Sequence, residues 1–273
     1  VKPARLQRLR RFLGALAEEQ LAHAGEHAMR PARDLSHPRD REFAAFLLAM
    51  LHTGRQDGPP CAALLLNRLG RQPALTLVKA NRQMLDEICA DLTLGFIGPP
   101  GLSLWLSALR NTLRRHRSLG DLFQFCLGPD GKRPHLVALD RFVVEVGRGL
   151  EETEIQAHRL GHLLPRPAKG SATARLHVFL RSVCRPDDGL DLGLWERPLP
   201  GQLLLPMDQA VLDRLVWLKL SEREKPCRGA VLEATSQLRM LNHHDPVLYH
   251  HALERLIALD LDVEGMRQRF RHA

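Results

Sequence analysis

The feature that most constrains this chain is the stretch from Pro165 to Asp208, PRPAKGSATARLHVFLRSVCRPDDGLDLGLWERPLPGQLLLPMD. Two prolines, a lysine and a glycine form a turn that cannot continue a helix. An apolar face follows at once, with Ala172, Leu176, Phe179, Leu180 and Val183 at helical spacing. Pro206, Met207 and Asp208 then announce a second helix, in which Leu212, Leu215 and Val216 share a face. A fold built on this block must place a turn, a helix, a long irregular segment (Arg185 to Pro206) and another helix in sequence. A loop of that length inside a compact domain is usually functional or packed over the core.

The rest of the chain has the same helical period. Leu6, Leu9, Leu13 and Leu16 form a stripe, with Arg5, Arg8, Arg10 and Arg11 largely off it. A helix is expected from Asp40 through Met50, closing near Gly54, and others from about Cys61 and Leu102. His135 to Val146 contains β-branched residues but sits among helices and is read as helix. Leu232, Leu238 and Leu241 mark another. Ser221 to Glu224 fits a capping box. Asp245 followed by Pro246 predicts an N-cap and first-turn proline of a helix running to about Ala258. The expected class is all-α, a single domain of two lobes over residues 1–273, with a hairpin at about 155–184 and a helix at 208–218.

No apolar run approaches the roughly 20 residues that span a bilayer. The basic amphipathic start is not a secretory signal, so a cytoplasmic location is expected. The net charge of +8, carried mostly by arginine, suits a polyanionic partner. The five cysteines, Cys61, Cys89, Cys126, Cys184 and Cys227, show no paired spacing. Neither a disulfide framework, a structural zinc nor an iron–sulfur cluster is expected, and no cofactor is implied.

His243, His244, Asp245, His250 and His251 suggest metal ligands at first sight. Asp245 is better explained as a cap, and adjacent histidines diverge by about 100° on a helix. Asp187, Asp188 and Asp191 read as a solvated turn. Trp195 reads as packing of the long loop, with base stacking as the alternative. The run Arg110, Arg114, Arg115, His116 and Arg117 reads as a solvated helix face.

In the turn Leu163 to Ser171, backbone N–H groups at the start of the following helix can bind a phosphate. Arg166 and Lys169 add charge beside it, and Ser171 can cap the helix or donate to the phosphate. Asp208 caps the next helix and can equally serve as a carboxylate that stabilises positive charge on a sugar.

The segments HLLPRPAKGSATARLHVFLRSVCR, DLGLWERPLPGQLLLPMDQAV and HHDPVLYHHALERL resemble a bacterial family of uncharacterised proteins, domain of unknown function 2400. HPRDREFAAFLLAML fits it as well. That family looks like a distant branch of the helix-hairpin-helix base-excision DNA glycosylases. The resemblance implies two helical lobes, duplex DNA as partner, Lys169, Gly170 and Ser171 in the hairpin, and Asp208 as the catalytic carboxylate. Gln209 and Ala210 stand where the family usually has Thr-His. Ala174 stands where it usually has a lysine, the counterpart of a Schiff-base amine. Leu94-Gly95-Phe96 stands for an aromatic-Arg-Phe element. The implied activity is therefore a monofunctional base excision. The alternatives are a DNA-binding protein without catalysis and a helical protein-interaction scaffold.

Overall fold

In the computed structural model, residues 3–51, 58–129, 134–261 and 263–271 are described. Among them are fifteen α-helices and no strand; one isolated bridge joins Leu94 to Ile97. The chain divides into two compact units, one of Val1–His27 with Gly170–Ala273, the other of Ala28–Lys169. The closing helix end expected near Gly54 lies outside the described residues.

The first unit joins the two ends of the chain. Helix Pro3–Ala22 packs along Leu248–Ala258 and also meets Arg228–Leu241. Leu9, Phe12, Leu13 and Leu16 are buried, as the stripe requires. Val216 and Leu232, expected on apolar faces, are instead 41% and 44% exposed. Leu212, Leu215, Val231, Ala234 and Leu238 take the buried positions. No helix begins at Ser221: Pro226 lacks the N–H that would bond the carbonyl of Glu222 in such a helix. Glu233 ties the segment down instead, accepting from Ser221 Oγ at 3.1 Å and from Arg223 Nε at 3.0 Å. The next helix, Arg228–Leu241, is capped by Cys227, whose Sγ accepts from the Ala230 N–H.

The long segment after Cys184 is packed rather than loose. Leu192 N–H donates to Ser182 O at 2.7 Å, Trp195 N–H to Val183 O at 2.8 Å, and Leu205 N–H to Thr235 Oγ1 at 3.0 Å. Gly193 allows the close return: its φ is +58°, and a Cβ there would lie 2.7 Å from the Asp187 nitrogen.

In the second unit helix Pro38–Leu51 is buried along nearly its whole length. Phe46 stacks on Trp105 at 6.1 Å and meets Phe142 edge-on. His135–Val146 is a helix, with Ala138, Leu139, Phe142, Val143 and Val146 buried. Asn81 and Ser118 cap the helices they precede, each accepting an N–H at 2.9 Å. No described helix is long and apolar enough to cross a membrane.

Many arginines are engaged by the fold itself. Arg5 donates to Leu218 O at 2.8 Å and Arg10 to Leu241 O at 2.7 Å. Arg110 donates to Ala80 O, Arg114 to Val78 O and Arg115 to Glu145 O. These carbonyls lie at helix C-termini, where intrahelical donors run out and the dipole favours a cation. In the run at 110–117, Arg114, Arg115 and Arg117 are exposed as expected of a solvated face, and Arg110, Arg114 and Arg115 also cap helix ends.

Candidate functional site

The turn before helix Ala174–Cys184 is built from short pieces. The helix before it is only Glu152–Ala157, and 3-10 turns follow at Leu160–His162 and Pro167–Lys169. The left-handed Arg159, Gly161 and the prolines at 165 and 167 prevent a longer helix. Arg166 forms a two-pronged ion pair with Asp140, and Asp140 also accepts from the Ala168 N–H at 3.0 Å. The Arg166 guanidinium holds Asp140 below the usual carboxylate range. Arg166 thus anchors the turn, while Lys169 is exposed at its end.

Gly170 follows with φ +83° and nothing within 4 Å of where a Cβ would stand. Ser171 is exposed, and its Oγ accepts from the Thr173 N–H at 3.2 Å. It does not cap the helix. The N-cap position belongs to Thr173, which is left-handed and makes no side-chain capping bond.

Asp208 is the N-cap of helix Gln209–Trp217, its Oδ1 accepting from the Val211 N–H at 2.9 Å. The side chain is exposed. Gln209 Nε2 donates to Glu224 O at 3.2 Å, and Arg228 N–H donates to Gly170 O at 3.0 Å. The glycine of the turn and the start of the Asp208 helix therefore border the same short segment of one unit. Lys225 and Arg228 are exposed along it. Arg166 and Lys169 belong to the other unit.

A second cluster, absent from the sequence expectations, lies inside the first unit. Asp191 is fully buried, so the reading of a solvated turn is corrected at that residue, while Asp187 is exposed as expected and Asp188 is half-buried. Its Oδ2 accepts from His251 Nε2 at 2.8 Å and from Arg185 Nη1, and Arg181 Nε lies 3.3 Å from Oδ1. Arg185 also binds Asp188 at 2.8 Å and Asp245 at 2.9 Å. Asp245 meanwhile accepts from the Leu248 N–H at 3.1 Å, but helix Leu248–Ala258 begins later than expected, with Val247 at its N-cap. Glu254 gathers Arg181 and both histidines 250 and 251. Burial alone would neutralise Asp191, but Arg181, His251 and Arg185 outweigh it and hold the carboxylate well below its usual range.

The cluster also bears on metal binding. His27, His251 and Glu254 bring donor atoms within 4.8 Å of one another, as do Asp188, Asp191 and His251. Arg181 and Arg185 already neutralise the carboxylates of both sets, so the negative charge that would attract a cation is engaged. The arrangement serves instead to fasten the long loop to helices Ala174–Cys184 and Leu248–Ala258. The available sequence signal was the i, i+4 pair Arg181 and Arg185 facing acids three to six positions on. Trp195 likewise packs, meeting Phe179 edge-on at 5.3 Å.

No curated protein and no solved structure matches the chain. A family model does, across residues 29–258, which include the turn, Asp208 and the buried cluster. The chain therefore belongs to the family described as Protein of unknown function (DUF2400).

Proposed function

We propose that this chain binds duplex DNA at the turn around Gly170 and that Asp208 is the carboxylate of a base excision. One observation carries the reading: the Gly170–Ser171 turn and the Asp208 helix start border the same segment, through the bonds Arg228–Gly170 and Gln209–Glu224. A turn with open space at Gly170 lets a phosphate approach the backbone closely. Lys169, its neighbour in sequence, carries a positive charge. The resemblance to helix-hairpin-helix glycosylases supports the assignment of an N-glycosidic bond as the bond broken.

In that chemistry the sugar gains positive charge as the base departs. An exposed carboxylate kept in place by a capping bond can stabilise that charge or activate a water. Ala174 offers no amine where a Schiff base would form, so the reaction ends at base release. Gln209 and Ala210 leave Asp208 without the family's usual neighbours, which is the feature favouring a binding protein without catalysis.

The test is release of free base from damaged duplexes by the wild type and by Asp208→Asn, which can still cap the helix. Release that depends on Asp208 supports the reading. Salt-sensitive DNA binding without release identifies a non-catalytic binder, and absence of both identifies an interaction scaffold.

A further inference from the structure

We infer that Phe96, with Arg159 and His162 beside it, forms a platform on which an unstacked nucleobase of DNA rests; this builds on the DNA-binding reading above. Leu94 and Ile97 exchange both backbone hydrogen bonds, at 2.9 and 3.0 Å, and close a two-residue turn. Gly95 takes φ +61°, a conformation that such turns require and that suits glycine. Leu94 and Ile97 are buried legs, at 3% and 2% exposure, whereas Phe96 at the tip is 51% exposed.

The ring is flanked by cationic and aromatic groups. The Arg159 guanidinium carbon lies over the ring, 5.1 Å from its centroid, and the His162 ring lies 5.4 Å away. Arg159 is held in the left-handed region, φ +53°, which is strained for a non-glycine residue. Gly101 makes the approach possible. A Cβ there would stand 3.0 Å from Ile97 Cγ2 and 3.1 Å from His158 Cβ, so any side chain would push the 158–162 segment away from the turn.

A half-exposed aromatic ring with a guanidinium over it matches a nucleobase and its phosphate. The ring stacks on any base, and the cation meets the backbone. A purely apolar protein surface would leave Arg159 without a counter-charge. The nearest acid in sequence that could compete, Glu154, is turned back to cap its own helix, accepting from the Glu151 N–H at 2.9 Å.

The test compares, by fluorescence anisotropy, a fully paired duplex with the same duplex carrying one unpaired nucleotide. The wild type should prefer the second. Phe96→Ala should lose about tenfold of that preference while keeping its affinity for the paired duplex, and Phe96→Trp should restore it. Full preference retained in Phe96→Ala would overturn the platform and leave the DNA-binding reading intact. Wild type that binds neither DNA would overturn both.

Discussion

Asp191 Oδ2 lies 2.8 Å from His251 Nε2, a buried bond across sixty positions of sequence. It joins the long loop to a helix near the carboxyl end. Because Arg181 and Arg185 converge on the same carboxylate, the loop is held by charge as well as by packing.

Asp191→Asn should destabilise the protein by about 3–5 kcal/mol, because two buried guanidinium groups lose their shared counter-charge. Urea denaturation measures this. Hydrogen exchange should rise first in the segment 190–205, whose amides bond to Ser182, Val183 and Thr235. A loss under about 1 kcal/mol would show that the cluster contributes little beyond packing.

His27 is pulled from 6.5 down to about 4, chiefly by burial. The folded state thus holds His27 neutral where the unfolded chain would charge it. Its contribution to stability is present above pH 6.5 and is lost as pH falls toward 4. His27→Gln should flatten the decline in melting temperature over that interval. An unchanged slope would assign the acid sensitivity to other groups.

Glu42 behaves in the opposite sense. Burial raises it from 4.5 to about 8, although its carboxyl group accepts from the Gly120 N–H. The favourable contribution is present below pH 4.5 and is lost as pH rises toward 8. Glu42→Gln keeps an acceptor for Gly120 and removes the titration. The variant should gain stability over wild type at pH 8, measured by urea midpoints, and should match it near pH 4.5.

Lys169→Glu should weaken duplex binding equally for all sequences, since phosphate contacts carry no base information. The logarithmic salt dependence should fall by about one unit. Unchanged affinity at modest salt would remove the turn from the DNA-binding reading.

Borohydride should trap no covalent adduct between this protein and a damaged duplex, because Ala174 replaces the amine that a lyase would use. A trapped adduct would refute base release without strand cleavage and make Lys169 the first residue to substitute.

The sequence by itself determined the helical class and most helix positions. His135–Val146 and the cap at Asp208 were legible because period and capping chemistry act over a few residues. The family was also legible, through the blocks around Lys169 and Asp208. Only tertiary structure decided which polar groups are buried. Asp191 sits in an Asp- and Gly-rich stretch whose local signal is a solvated turn. Its burial depends on arginines of one helix and a histidine of another, and a distant counter-charge leaves no local pattern. Tertiary structure likewise took Arg5, Arg10, Arg110 and Arg114 as caps for the carbonyl ends of other helices. Net charge counts those residues as available to a partner, whereas the fold has already bound them, because helix ends elsewhere in the chain need donors.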